Sequence, residues 1–323
     1  MRKIYLAPLE GVTDSIYRNT YMKYYGGVDK VYTPFISPNS TFKFTTREYK
    51  DIDPEKNDIS YTVPQLLTNK SEHFLWAAAE ISALGFREIN FNLGCPSGTV
   101  VAKRKGSGLL YYPEELDETL YEIFDGLPAV CQEKGTPVPD ISIKTRLGKT
   151  DPEEFYEILN IYNKYPISEL TIHPRIQSDF YRQPIRPEFF DYAITHNKAP
   201  LVFNGDVTSI AAIHELEDRY PTVASIMIGR ALISNPGLAM NYKNGLTDAD
   251  FSTDYAVFKS FHNELLLQYR EVLSGEKPVL HRMKEFWGYW SNLFPDYDKD
   301  IKKIRKSNRI NEYKANVQSL LSK

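Results

Sequence analysis

Cysteine is almost absent from this chain: Cys95 and Cys131 are the only two among 323 residues. A disulfide framework is therefore not expected, and two free thiols suit a reducing compartment. Histidine is scarce as well, with six scattered residues and no Cys/His spacing of a zinc site, so no metal is expected. No apolar run approaches the roughly 18 residues that span a bilayer. The start of the chain lacks the basic head and apolar stretch of a signal peptide. These absences lead us to expect a cytoplasmic protein without membrane contact. Repeats and low-complexity segments are missing too.

What is present describes an ordinary globular protein, 42% apolar and 25% charged. The net charge of −3 does not announce a nucleic-acid binder, but its distribution is uneven. From residue 250 onward 13 basic residues face 10 acidic ones, against 26 and 32 before it. The late excess gathers in 299–309, which reads first as one solvated helix face.

Short apolar runs recur at 5–8, 31–35, 62–67, 88–92, 141–145, 169–173, 200–204 and 225–229. Helical patterns separate them, among them 72–84, 113–124, 152–162 and 210–220. Eight strands alternating with helices predict an α/β fold of the TIM (β/α)8 barrel type. A doubly wound sheet would require a G-x-G-x-x-G turn early in the chain, and Gly106-Ser107-Gly108 lacks the third glycine. After about residue 241 the strand pattern stops. Amphipathic stretches at 251–275, 281–293 and 299–321 predict a smaller all-α domain over 246–323, following a barrel over 1–245.

Barrel chemistry sits where strands end. Those positions hold Pro8-Leu9-Glu10, Gln65, Asn92 with Cys95, Lys144, His173, Asn204-Gly205-Asp206 and Gly229-Arg230. The last two groups follow strands seven and eight, where barrels commonly seat a phosphate. Glycines admit backbone N–H groups there and Arg230 adds charge. Lys144 and Gln65 suit the pyrimidine edge of a flavin mononucleotide (FMN), with the ammonium stabilising the reduced, anionic ring. His173 reads equally as a contact to that edge or as a structural residue. Cys95 reads either as a small buried hydrophobe or as a general acid that protonates a carbon beside one receiving a hydride. Cys131, in a helix-like stretch, reads as structural. The basic run Lys103-Arg104-Lys105 behind Cys95 is expected to face an incoming polyanion.

Six motifs together resemble the tRNA-dihydrouridine synthase family. They are the run from Ala7 to Asp14, Asn92-Leu93-Gly94-Cys95-Pro96 with Lys105-Gly106-Ser107-Gly108, Ile143 to Gly148, Ile172-His173-Pro174-Arg175, Phe203 to Asp206, and Met227 to Leu232. The stretch Arg282 to Trp287 resembles the family's RNA-binding tail. The resemblance implies FMN- and NADPH-dependent reduction of the C5=C6 bond of a tRNA uridine, with NADH as the other conceivable reductant. Hydride passes to C6, Cys95 protonates C5 and Asn92 helps hold the base. It also implies flavin contacts by Pro8, Leu9, Glu10, Gln65, Lys144, His173, Asn204, Gly205, Asp206, Gly229 and Arg230. Arg175 and Tyr181 would meet the target nucleotide, and Arg282, Lys284 and Arg305 the tRNA backbone. A monomer is favoured. Two departures stand out: Leu9 replaces the usual methionine, and Pro174 replaces the glycine of His-Gly-Arg. The competing readings are an FMN barrel reductase of a small pyrimidine, like dihydroorotate dehydrogenase, and a tRNA-binding protein without catalysis.

Overall fold

The computed structural model describes residues 1–250 and 253–322. Nine short parallel strands form one sheet: β1 (Lys3–Leu6), β2 (Lys30–Tyr32), β3 (Thr62–Val63), β4 (Gln65–Leu66), β5 (Glu88–Leu93), β6 (Asp140–Gly148), β7 (Leu170–Ile176), β8 (Leu201–Asn204) and β9 (Ser225–Ile228). Their order is β3-β2-β1-β9-β8-β7-β6-β5-β4. The run expected as one strand over 62–67 is thus divided at Pro64, whose missing N–H interrupts the ladder. β3 pairs with β2 and β4 with β5, so the chain through Pro64 closes the ring. The result is an eight-membered TIM-like barrel, as the alternation predicted.

The expected boundaries move in three places that matter. β1 ends at Leu6, so Pro8, Leu9 and Glu10 lie in the loop above it. β6 and β7 run on to Gly148 and Ile176, which carries Arg146 and Arg175 within strands. The helix expected over 113–124 continues to Lys134, with Cys131 fully buried on its inner face. The register of β6 against β7 also shifts between Arg146 and Gly148, opposite Pro174, a residue unable to donate a ladder bond.

Strand alternation explains where polarity goes. Ile89, Phe91, Ile141, Ile143, Leu170 and Ile172 face the surrounding helices in the main core. The intervening residues climb the inside of the barrel: Asn90 and Asn92 on β5, Ser142, Lys144 and Arg146 on β6, Thr171, His173 and Arg175 on β7. A small apolar plug of Tyr5, Ala7, Tyr32, Val63, Val202 and Met227 fills the opposite inner wall. At the floor the Lys30 ammonium meets Glu88 at 2.6 Å and Glu169 at 2.5 Å. The Tyr5 hydroxyl donates to Glu169 at 2.8 Å.

Beyond the barrel the described elements are helical: Tyr255–Val272, Glu276–Trp290, Asp298–Lys306 and Ile310–Leu321, with a 3-10 turn at Ser291–Leu293. The helix expected to begin at 251 begins at Tyr255; Phe251 and Ser252 lie outside the described residues. These helices pack on the barrel helix Ser15–Tyr24 through aromatic contacts, Tyr17 with Phe286 at 5.1 Å and Tyr25 with Phe261 at 5.2 Å. Asp14 ties both parts, capping Tyr17 N at 3.0 Å and accepting from the Tyr269 hydroxyl at 2.8 Å. Within the tail, buried Trp287 Nε1 donates to Tyr313, whose hydroxyl lies 2.6 Å from His262 Nε2. His262 Nδ1 lies 3.1 Å from Asn263 Oδ1, an oxygen that only accepts, so the ring proton sits on Nδ1 and Nε2 accepts from the Tyr313 hydroxyl.

Candidate active site at the mouth of the barrel

The C-terminal rim surrounds a cavity of about 570 Å³. Ten expected site residues line it: Pro8, Leu9, Lys144, His173, Tyr181, Asn204, Gly205, Asp206, Gly229 and Arg230. The volume lies within the roughly 300–1,000 Å³ usual for a cofactor or small ligand. Tyr289, Asn292 and Leu293 complete the wall from the helical tail. Nothing in the sequence signalled those three, because their approach depends on how the tail docks.

Two cations in this mouth lack carboxylate partners. The Lys144 ammonium has no hydrogen-bond partner among the described residues, and burial together with Arg146 pulls its pKa down to about 7. Arg146 is 1% exposed and makes no ion pair among the described residues. It donates from Nε to Gly94 O at 3.0 Å and from Nη1 to Ile176 O at 2.9 Å. Its position was legible in principle: strand period two puts residue 146 on the same inner face as Lys144. A buried charge without a counterion is costly, so such a pair marks a place where a ligand supplies the missing anion.

Cys95 stands beside these cations rather than in the cavity wall. β5 ends at Leu93 and the chain turns sharply, held by Asn92 Oδ1, which accepts from Gly94 N at 3.0 Å and Cys95 N at 2.9 Å. Asn92 Nδ2 donates to Gln65 Oε1 at 2.7 Å, and Gln65 Nε2 to Asn90 Oδ1 at 2.7 Å. A buried amide relay therefore fixes the turn, and Gln65 belongs to that relay rather than to the cavity lining. From above, Ser107 Oγ donates to Cys95 O at 2.7 Å. Gly106, at φ +56°, crosses so close that an added Cβ would lie 3.0 Å from the Cys95 Cβ, a left-handed approach that glycine alone makes easily. Burial pushes the Cys95 thiol up from its ordinary range. The group is a protonated thiol held in place.

The opposite wall is organised by Arg175. This guanidinium is 3% exposed, well beneath the surface. It donates to both Asp206 carboxylate oxygens, to Gln183 O at 2.6 Å and to His173 Nε2 at 3.0 Å. Asp206, at φ +46°, also meets Arg230 Nη2 at 3.4 Å. Its charge is thereby offset at a rim that would otherwise repel a phosphate. Burial and the neighbouring cations push His173 well below its ordinary range, so the ring is neutral. With Nε2 accepting, its proton sits on Nδ1. Tyr181, 52% exposed, covers this wall with Arg230 4.3 Å from its ring centre and Arg146 5.4 Å away. The helix Arg230–Ser234 opens at the rim with no side-chain cap.

The other expected residues lie outside the cavity wall. Glu10 is exposed and paired with Arg47. Arg282 packs over Tyr269 and meets Glu285 at 3.1 Å, close to Gly11 in the loop above β1. Lys284 and Arg305 have no partner among the described residues, and Arg305 is exposed.

A family described as dihydrouridine synthase (Dus) matches residues 5–320 of the chain. The chain belongs to the dihydrouridine synthase family. Across 98% of both chains it is 25% identical to the tRNA-dihydrouridine(16) synthase of Vibrio parahaemolyticus. It is 30% identical to the probable tRNA-dihydrouridine synthase 2 of Bacillus subtilis, over 72% of this chain and 69% of that one. Among solved structures it is similar to morphinone reductase, at 13% identity with a TM-score of 0.53 over 76% of this chain and 86% of that one. A 2-naphthoyl-CoA reductase gives 11% identity and 0.56, over 76% and 50%. At such identities the structural likeness shows the barrel fold. The dihydrouridine synthases are oxidoreductases, and this chain is an enzyme of that family. Among the described residues no helix is long and apolar enough to cross a membrane, and no three His, Cys, Asp or Glu side chains gather to hold a metal ion.

Proposed function

We propose that this dihydrouridine synthase reduces the C5=C6 bond of a uridine in tRNA, using FMN and NADPH, with Cys95 as the proton donor. The observation that carries the reading is the meeting of an unpaired Lys144 ammonium and a protonated Cys95 thiol at adjacent strand ends beside the cavity. The residues present fit FMN. Arg230 and the backbone at Gly205 and Gly229 would hold the phosphate, with Asp206 offset by Arg175 and Arg230. Lys144 and the Nδ1–H of His173 would donate to the polar edge of the ring system. Pro8 and Leu9 would supply an apolar wall. FMN bound there would supply hydride chemistry, with NADPH as the reductant and C6 of the uracil as the acceptor.

The chain's own part is the proton. The Cys95 S–H bond breaks as C5 gains a hydrogen, and the thiolate left behind lies in the field of Arg146 and Lys144, which stabilises it. Asn92 serves mainly to aim this thiol, since its Oδ1 is occupied by the turn. Tyr181 would stack on the incoming base. Lys284 and Arg305, unpartnered on the tail, would meet tRNA phosphates together with Arg282. The names of the relatives support tRNA as substrate, and a local basic face suffices for a protein of negative net charge.

The test is direct. Purified protein should show a flavin absorbance band and, given NADPH and unmodified tRNA, form dihydrouridine. A colourless protein that binds no added FMN, or one that turns over a free pyrimidine but no tRNA, would overturn the reading.

A further inference from the structure

In the loop that follows β2, the stretch 37–45 carries Phe42 with φ +47°. A bulky residue rarely adopts that left-handed conformation. The ring is not tucked away: it is 43% exposed. It meets His73 at 5.6 Å and Trp76 at 5.8 Å, both steeply tilted, so neither neighbour lies flat against it. His73 and Trp76 are on the helix Ser71–Ala83, and behind them Phe44 packs on Trp76 at 4.7 Å. Phe42 is thus a partly exposed aromatic ring on which neither neighbour is stacked.

Lysines flank its loop. Lys43 is adjacent and Lys70 precedes the same helix; both side chains are exposed and make no hydrogen bond or ion pair among the described residues. Asn69 Nδ2 donates to Lys103 O at 3.2 Å, and Lys105 Nζ to Ser37 Oγ at 3.2 Å. The first bond joins the segment before the helix Ser71–Ala83, and the second the Phe42 loop, to the basic run behind Cys95. Of the acids nearby, Glu48 is engaged by Ser37 N and Thr45, Glu115 by Arg104 and Glu122 by the Ser71 hydroxyl, while Glu72 is exposed. Four lysines on and beside the loop of one unstacked ring match what single-stranded nucleic acid requires: phosphate charge met by ammonium, and a base met by an aromatic ring. An apolar protein partner would want a wider hydrophobic patch than one ring. The loop bearing Lys103 and Lys105 follows β5, which stands four positions round the ring from β9, where the tail closes the cavity. RNA resting on the tail and reaching Cys95 would continue onto this face.

We propose that Phe42 is a stacking platform for an unpaired base of the RNA substrate, outside the catalytic cavity, with Lys43, Lys70, Lys103 and Lys105 holding the adjoining phosphates. The inference rests on the functional reading above and adds a second contact to it. It is tested by fluorescence anisotropy of the full chain with an unmodified tRNA transcript and with a fully paired blunt RNA duplex. Phe42→Ala should weaken tRNA binding about tenfold, as loss of one base–aromatic stack does. Phe42→Trp, which keeps a ring, should hold the wild-type affinity, and Phe42→Ala should leave duplex binding unchanged. Equal tRNA affinity of Phe42→Ala and wild type overturns the platform. So does an equal loss on tRNA and duplex, which would point to a general disturbance of the loop. If the wild-type protein itself binds no tRNA, the functional reading fails and takes this inference with it.

Discussion

Two lysines inside one barrel behave in opposite ways. Lys30 enters the floor and Lys144 the mouth, and burial acts to strip the proton from both. At the floor Glu88 and Glu169 outweigh burial and push the Lys30 pKa above its ordinary range. At the mouth Arg146 adds to burial, and Lys144 falls to about 7. The floor is electrostatically finished within the chain, tied further by Tyr5 and Ser225. The mouth leaves two cations uncompensated. One end of the barrel is built to hold itself together, and the other is built to be completed by something else.

That contrast can be broken, beginning with the largest effect. Cys95→Ala should slow dihydrouridine formation by about a thousandfold, within the range of a lost general acid, while the flavin band persists. Unchanged single-turnover reduction of tRNA would remove Cys95 as proton donor. Next, Lys144→Met should lower turnover about a hundredfold and also change the stability of the flavin-free protein with pH. An unfolded lysine keeps its proton up to about 10.5, whereas folded Lys144 releases it near 7. Between those values the unfolded state binds more protons, so stability rises with pH. Urea unfolding of wild type against the variant should show this rise from pH 7 to 10. A flat difference would mean that Lys144 is compensated after all.

Lys30→Met supplies the opposite result. It should cost about 3 kcal/mol by leaving two carboxylates facing each other, with reduction per folded molecule unaltered. Because the folded pKa of Lys30 is raised, its contribution holds across pH 7 to 10 and fades only above the unfolded value. A strong pH slope in that window would erase the distinction between the two ends. The smallest effect concerns salt. Arg282→Ala or Lys284→Ala should each lower the salt dependence of tRNA binding by about one in slope, whereas Lys30→Met should not move it.

Much of the candidate site could be read before any coordinates. Strand ends carry Lys144, His173, Asn204 to Asp206, and Gly229-Arg230, and all of them line one cavity because parallel strands in a ring must deliver their ends to one rim. Gln65 and Arg175 show where such reading stops. Both sit at the expected height inside the barrel. Yet Gln65 is consumed by the amide relay to Asn92, and Arg175 by Asp206, His173 and Gln183. A strand pattern says which face a side chain takes, not which neighbour claims its hydrogen bonds. Arg146 shows the converse: its motif is visible in the sequence, but its lack of a counterion is not.

The sequence by itself determined the alternation, the closed set of eight strand positions, the helical tail and the turn that bears Cys95. Those are local properties: spacing of apolar residues, proline and glycine placement, and the identity of each strand's last residues. The tertiary structure alone decided which charges are compensated. Lys30 and Lys144 are indistinguishable as letters near strands. Only the ring closure brings Glu88 and Glu169 to one and leaves the other with Arg146 and a cavity. Charge pairing depends on residues 58 and 139 positions apart in the chain, and no local pattern encodes contacts of that separation.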